Sequence, residues 1–512
     1  MKSGTKNPSK ELYNQLRRLA WEPLWNDEVP RFNHASPQER TARVAVVRAV
    51  GVVFSESGPK EQREAVKAWL LGLLQDPAEK VRRYAMTALP KIGAGASAEA
   101  ELLALLEKTG SERETKFLGR TLDKIGGAAT LEALESGLLP QTEQKVRASV
   151  ARAQSPSTVR MDGVLDDFAA LRIHLRGRKG LEQIVRQEVE QNVLTRAKFR
   201  VVEVTSGLVA LQPLAPFSLG DLCTLRCFGT VAFVLGAMRG SNAVESIADA
   251  IASPLSRRVL KTFTEGAMRY RLNFVAKGHQ RGAVREIANR AYALCPEILN
   301  DARNAPWSVE IHPTGRGNSV ELSPRWSPDP RFSYRQGDVP AASHPPLAAC
   351  MARLAGSREG EIVWDPFCGS GLELIERALL GGVVRLYGTD LSPEAIAISE
   401  RNFAAANLPT VAAQFTCCDF RDFAAIQGLK PEGVTLIVTN PPMGRRVPIA
   451  DLSGLIDDLF AVAEKMLQPG GQLVFANPLP MGACPSALKL QSRQVVDFGG
   501  FNCRLEMYRK LG

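Results

Sequence analysis

Three short stretches of the sequence combine residue types that do chemistry together. Asp365-Pro-Phe367-Cys-Gly369-Ser-Gly371 sets an acid at the end of a strand-like run, Glu361-Ile-Val-Trp, and follows it with a tight loop. The two glycines let the backbone approach a ligand over the N-terminus of the next helix, expected over Leu372–Leu380. Val383-Val-Arg-Leu-Tyr-Gly-Thr then ends in Asp390, 19 residues past Gly371. An acid there accepts hydrogen bonds from ribose hydroxyls. A nicotinamide dinucleotide is disfavoured, because Leu374 occupies the third glycine position of the dinucleotide fingerprint. Asp365 also repels a pyrophosphate, whereas it suits a nucleoside cofactor with a cationic amino-acid end. In the third stretch the apolar run Val434-Thr-Leu-Ile-Val-Thr emerges into Asn440-Pro441-Pro442-Met443. The prolines fix the backbone so that the Asn440 side-chain oxygen and the Pro441 carbonyl face one point. Two such acceptors hold both N–H groups of an exocyclic amine and turn its lone pair toward a methyl donor.

These loops must share one end of a sheet. From residue 336 strand-like and helix-like segments alternate, as in a parallel sheet covered on both faces. That order sets the Asn440 strand beside the glycine loop. The basic charge lies elsewhere. Residues 1–155 hold 24 Lys and Arg against 19 Asp and Glu, residues 156–335 hold 25 against 17, and residues 336–512 hold 15 against 18. A polyanion would be gripped by the first two thirds of the chain.

Residues 160–325 read as α+β. Strands are expected at Ala170–Arg176, 271–276 and Trp307–His312, helices at Gly180–Val189 and Arg285–Ala293, and a hairpin joins Val201–Val204 to Leu208–Gln212 around Gly207. Residues 1–155 read as helix after helix. Aligning related segments on Arg43, Arg82, Thr115 and Arg147 gives spacings of 39, 33 and 32 residues, the period of stacked helix pairs. The second unit, Trp69–Gly93, resembles a HEAT repeat. Residues 326–345, rich in proline with aromatics flanked by arginines, read as a non-helical connector whose rings either stack on bases or pack internally.

Hydrophobic residues at 45% and charged residues at 23% fit a soluble, globular, multidomain chain. No apolar run reaches the roughly 18 residues of a membrane span, and the N-terminus lacks an apolar signal core. Nine cysteines without a CxxC pair and five scattered histidines offer no metal spacing. The expectation is a reduced, cytoplasmic protein without a metal site.

Residues 336–512 resemble a class I S-adenosylmethionine-dependent methyltransferase of the amino-methylating type. Leu171–Leu175 followed by Lys179-Gly-Leu-Glu-Gln-Ile-Val-Arg, with Arg226-Cys-Phe-Gly-Thr-Val, is similar to a THUMP-associated RNA-binding region. The order of that region, the connector, Ser343-His-Pro-Pro-Leu and the Asp365 loop resembles THUMP-containing RNA methyltransferases from about residue 160 to 512. The resulting architecture is HEAT-like helical repeats at 1–155, a THUMP-like region at 160–325, a connector at 326–345, and a Rossmann-like α/β domain with a mostly parallel seven-stranded sheet at 346–512. The resemblance implies S-adenosylmethionine as cofactor, with Asp365, Phe367, Gly369 and Gly371 at its methionine end. Asp390 and Leu391 contact its ribose and adenine, Asp419 its adenine amine, and Phe420 lies beside the ring. Asn440, Pro441, Pro442 and Met443 form the catalytic loop, with Asn440 also on the cofactor side. Arg176, Arg178, Lys179, Arg445 and Arg446 are the expected RNA contacts. The implied activity is methylation of an exocyclic base amine, guanine N2 of transfer RNA ahead of ribosomal RNA, with the helical repeats free to dock a protein partner. One residue departs from the family pattern: Met443 stands where an aromatic usually stacks on the target base. A thioether packs on a ring face with part of that energy.

Two other functions stay open on sequence. One is a non-catalytic RNA-binding or assembly protein that keeps the methyltransferase fold as architecture. The other is adenine-N6 methylation of DNA, which shares Asn-Pro-Pro but leaves the THUMP-like region unexplained. Other reactive residues fall away. Cys368 lies in the cofactor loop, Cys484-Pro485 reverses the Pro-Cys order of carbon-5 methylation, and His344 beside two prolines reads as a loop residue. Cys223 and Cys227, four apart on an expected helix, read as core.

Overall fold

A computed structural model describes residues 8–134, 139–154, 156–238, 243–275, 280–314, 317–340, 342–444, 449–479 and 486–512. The chain divides into two compact units, Met1–Pro156 and Ser157–Gly512. The first is helical. Helices α1 (Ala45–Ser57), α2 (Glu79–Ala88), α3 (Glu112–Ile125) and α4 (Pro140–Gln154) each pack on the next in chain order, as the spacing of the four related segments requires. Their buried faces follow the helical period: Val46, Val50 and Val53 on α1, Val81, Ala85 and Ala88 on α2, Leu118 and Leu122 on α3. Arg82 of α2 reaches Glu114 of α3 with two hydrogen bonds of 2.6 and 2.9 Å, which ties the two helices together across 32 residues of chain. Among the described residues no helix is long and apolar enough to cross a membrane.

The second unit holds two large sheets. The first comprises β1 (Ile173–Arg176), β2 (Phe199–Thr205), β3 (Leu208–Pro213), β4 (Thr230–Met238), β5 (Arg269–Phe274), β6 (Leu299–Asn300), β7 (Trp307–Thr314) and β8 (Gly317–Pro324). Their spatial order is β2-β3-β1-β4-β8-β7-β5-β6. Helices α5 (Glu182–Gln191) and α6 (Arg281–Leu294) belong to this α+β part. The hairpin, both helices and the strands arise near their expected places, the first strand beginning only at Ile173 and the second running Arg269–Phe274, with position 276 outside the described residues. The two cysteines differ: the short helix Leu219–Leu222 stops before Cys223, and Cys227 lies ahead of β4, buried in the core.

The connector is packed rather than open. Arg331 is buried over the Phe228 ring at 4.0 Å, and Phe332 and Tyr334 are buried around the Arg226 guanidinium. Helix α7 (Pro345–Ala355) then leads into the second sheet. Its strands are β9 (Glu361–Asp365), β10 (Val383–Asp390), β11 (Ala412–Cys417), β12 (Val434–Thr439), β13 (Leu467–Asn477), β14 (Leu488–Asp497) and β15 (Asn502–Lys510). The order is β11-β10-β9-β12-β13-β15-β14. The first five run parallel, and β15 pairs antiparallel with both β13 and β14. Helices α8 (Leu372–Leu379), α9 (Pro393–Ala406) and α10 (Leu452–Met466) provide the crossovers. The two sheets meet closely. A Cβ at Gly180 would lie 2.0 Å from the Val495 carbonyl oxygen of β14, so only glycine fits there.

Candidate active site

Strands β9 and β12 are parallel neighbours, with Val363 opposite Leu436 and Trp364 opposite Ile437. This register brings their C-terminal ends together, where open α/β sheets bind ligands. Thr439 Oγ1 donates to Asp365 Oδ1 over 2.5 Å, and the Phe367 N–H donates to the same oxygen at 3.0 Å. Asp365 is fully buried, and its Oδ2 has no hydrogen-bond partner. Burial, and then the nearby Glu373 carboxylate, hold its pKa well above the usual range.

The glycine loop is locked from below. Gly371 caps α8 with φ of 78°, a left-handed conformation, and a Cβ there would come within 3.2 Å of Ser399 Oγ. Ser399 of α9 donates to the Gly369 carbonyl at 2.9 Å, and Asn402 of α9 donates to the Ser370 carbonyl at 2.9 Å. The Gly369 N–H donates to Asp390 Oδ2 at 3.0 Å, and the Ser392 N–H to Oδ1 at 2.9 Å. Asp390 is thereby aimed, and each of its oxygens keeps a lone pair for a further donor. The neighbouring Leu391 is 71% exposed, an apolar cover on the edge of the cleft. The Phe367 and Phe420 rings lie 4.8 Å apart, and Phe420 is buried. Asp419 is held by Arg421, which donates its N–H to Oδ1 at 2.9 Å and pairs with Oδ2 at 2.8 Å.

Asn440 follows β12 directly. Its Nδ2 donates to Ser343 Oγ at 2.8 Å, and Ser343 Oγ in turn donates to Glu373 Oε1. The Asn440 Oδ1 is buried without a partner. Pro442 and Met443 are half-buried beside it. Arg445, Arg446 and the Cys484-Pro485 pair lie outside the described residues. Cys368 is buried next to Ser399, and burial pushes its thiol well above its ordinary pKa, so it is no nucleophile. His344 is exposed, and crowding by the surrounding chain, with Arg178, Arg335 and Arg331 nearby, holds its pKa below the ordinary range.

The basic positions of the α+β part divide. Arg176 donates to the buried Glu321 through Nε at 2.7 Å and through a terminal nitrogen at 2.5 Å, so its guanidinium serves the sheet. Arg178 donates to the Asp497 carbonyl at 3.0 Å beside the Phe498 ring. Lys179 is exposed.

Ser343 and Glu373 were not among the site residues expected from sequence. The available signal was Glu373 itself, a lone acid in the apolar run Leu372-Glu-Leu-Ile of a helix that must be buried. The site fits a cationic nucleoside cofactor and an amine. Among the described residues neither Asp365 nor Glu373 pairs with a Lys or Arg. An acceptor buried without a partner costs about 1–3 kcal/mol. Asp365 Oδ2 and Asn440 Oδ1 are two such acceptors at the ends of adjacent strands.

Comparison with known proteins bears on this geometry. Residues 333–482 match the UPF0020 (RMKL-like) methyltransferase domain. The chain is 32% identical over 234 residues to the tRNA (guanine(6)-N2)-methyltransferase of Thermus thermophilus, covering 44% of this chain and 66% of that protein. It is 30% identical over 134 residues to a Methanothermococcus thermolithotrophicus protein named "Probable tRNA (guanine(10)-N2)-dimethyltransferase", covering 26% of this chain and 78% of that protein. The chain spans under two thirds of the length of the curated relatives it matches first. The crystal structure of TrmN from Thermus thermophilus superposes with a TM-score of 0.54 at 21% identity, covering 67% of this chain and all of that one. At that identity the likeness is one of fold. The chain belongs to the RMKL-like methyltransferase family.

Proposed function

We propose that the protein is an S-adenosylmethionine-dependent RNA methyltransferase acting on an exocyclic base amine, guanine N2 of transfer RNA ahead of ribosomal RNA. The observation that carries the reading is the pair of buried, unpartnered acceptors, Asp365 Oδ2 and Asn440 Oδ1, on neighbouring strand ends above the glycine loop. Relatives named for guanine-N2 methylation of transfer RNA support the choice of amine. In this reading Asp365 takes the ammonium of the methionine end, Asp390 the ribose hydroxyls, and Leu391 with Phe420 the adenine, with Asp419 near its amine. The cofactor supplies an electrophilic methyl group on a sulfonium. Asn440 Oδ1 and the Pro441 carbonyl accept the two N–H groups of the target amine, which fixes its lone pair in line with that methyl. The target nucleotide must leave its stack to reach this loop, with Met443 as its packing surface. A radiolabelled methyl group from the cofactor is expected in RNA and not in DNA; label recovered only in DNA overturns the reading.

The residues at 160–325 serve, in this proposal, as a THUMP-like platform that holds RNA by backbone and shape. The residues at 1–155 are HEAT-like repeats that dock a protein partner. A second reading, a non-catalytic RNA-binding protein, rests on Met443 in place of an aromatic. Calorimetry separates the two, since only the enzyme must bind S-adenosylmethionine.

Asp390→Ala removes a charged acceptor for two ribose hydroxyls, each bond contributing on the order of 1.5–3 kcal/mol. Cofactor affinity by calorimetry should fall at least about tenfold with the melting cooperativity retained. Lys179→Glu reverses an exposed charge without disturbing an internal ion pair, unlike any change at Arg176. Filter binding should show weaker RNA affinity, with the salt dependence reduced by roughly one phosphate contact.

A further inference from the structure

We propose that Ser343 and Glu373 are positioning residues that decide which end of the Asn440 amide faces the target amine. The proposal rests on the reading of Asn440 as that amine's acceptor. The two ends of an asparagine amide have nearly the same size, so only their hydrogen-bond partners fix which end points where. Ser343 Oγ lies between the Asn440 amide, at 2.8 Å, and the Glu373 carboxylate. A serine hydroxyl has one proton. When that proton is donated to Glu373, the oxygen can only accept, so the group facing it must be the amide NH2. The amide oxygen is then turned the other way, and there it is buried with no protein partner.

Reversing the chain shows what the arrangement prevents. If Glu373 carries a proton, it donates to Ser343, and Ser343 gives its own proton to the asparagine oxygen. The NH2 group then points at the target amine, and two donors confront each other. The three residues come from three separate elements: Asn440 follows β12, Ser343 precedes α7, and Glu373 lies in the first turn of α8. Ser343 and Glu373 are both buried, so water does not compete for their hydrogen bonds.

The charge around Glu373 makes its protonation state sensitive. The Asp365 carboxyl at the end of β9 is near enough to feel the Glu373 charge, and Asp390 of β10 acts on Asp365 as well. Glu376 on its own helix is its other acidic neighbour, and Glu376 is itself held by Arg226 and Tyr334. Burial raises the Glu373 pKa above the ordinary carboxylate range. The productive orientation is therefore present above that raised pKa and lost as pH falls through it.

The test uses the full chain, single-turnover methylation of transfer RNA at saturating S-adenosylmethionine, and filter binding of the RNA. Glu373→Gln keeps the shape but removes the charge, and its amide can donate to Ser343 as well as accept from it, so the direction of the chain is no longer fixed; the transfer rate should fall at least about threefold, with RNA affinity within about threefold. Ser343→Ala should lower the rate about tenfold, and Ser343→Thr, which restores the hydroxyl, should return it to within about threefold of the parent. The parent should lose rate on the acid side of its pH profile, and Ser343→Ala should lack that limb. Parental rates for both Glu373→Gln and Ser343→Ala, or an unchanged acid limb in Ser343→Ala, overturn the proposal. If Asn440→Ala is slow while those two variants are parental, only the proposal falls. If Asn440→Ala is itself parental, the reading of Asn440 falls and the proposal with it.

Discussion

Asn440→Ala is expected to lower the single-turnover methyl-transfer rate by roughly two orders of magnitude or more while RNA affinity stays within about threefold. The asymmetry follows from where the side chain sits. Its oxygen is a buried acceptor at the end of β12 with no protein partner, so its free energy is realised only when an amine arrives. In the proposed reading RNA affinity comes from phosphate contacts outside this loop, where the basic excess of residues 156–335 lies. Truncating Asn440 also leaves Ser343 hydrogen-bonded to Glu373, so no charge is stranded by the change. Single-turnover kinetics with filter binding on the same preparations checks both halves. A variant that transfers methyl at the parental rate removes Asn440 from the mechanism.

The second large effect is expected at Asp365. Its carboxyl is buried with Glu373 close by, and its pKa is held well above the usual range. A raised acid pKa favours the protonated form, so the native state holds a proton that the unfolded chain has released. Stability without ligand therefore falls as pH rises from the ordinary carboxylate range, near 4, toward the raised value. A cationic amino-acid end docking on Asp365 ionises it. Binding should release a proton, and affinity for S-adenosylmethionine should rise with pH up to that raised value. Asp365→Asn keeps the acceptor for Phe367 and Thr439 but cannot ionise. Its cofactor affinity should drop at least about tenfold, from the loss of a charge-assisted hydrogen bond. Calorimetry in two buffers of different ionisation enthalpy should show proton release for the parent and little for the variant. Equal affinity in parent and variant would place the cationic end elsewhere.

How much of this was legible in the sequence depends on how local each feature is. The strands ending at Asp365, Asp390 and Asn440, with the glycine loop between, are local patterns: an apolar run, a turn, a helix. Alternation of such units implies a parallel sheet, and a parallel sheet gathers its C-terminal strand ends. The hairpin at Gly207 and the helix Arg281–Leu294 were readable for the same reason. What escaped depends on partners far apart in sequence. Arg176 looks basic and available, but Glu321 lies across the sheet and takes two of its nitrogens. The connector arginine Arg331 is buried over Phe228, a ring about a hundred residues earlier. Nothing in a linear reading of Leu372-Glu373-Leu374 says that this acid meets Ser343 and, through it, Asn440. Cys223 and Cys227 have a helical spacing, yet the helix stops at Leu222 and the chain turns toward β4. For Arg176, Arg331 and Glu373 a partner distant in sequence, not the local pattern, decides what the side chain does.

The central claim is that this site moves a methyl group onto an exocyclic amine of RNA, and the most direct measurement is the identity of the methylated nucleoside. Transfer RNA and ribosomal RNA incubated with the protein and isotopically labelled S-adenosylmethionine, digested to nucleosides and separated by mass, should show the label in N2-methylguanosine, with the transfer RNA labelled ahead of the ribosomal RNA. Label confined to a carbon-methylated pyrimidine, or no label in either RNA from a protein that binds the cofactor, would contradict the account.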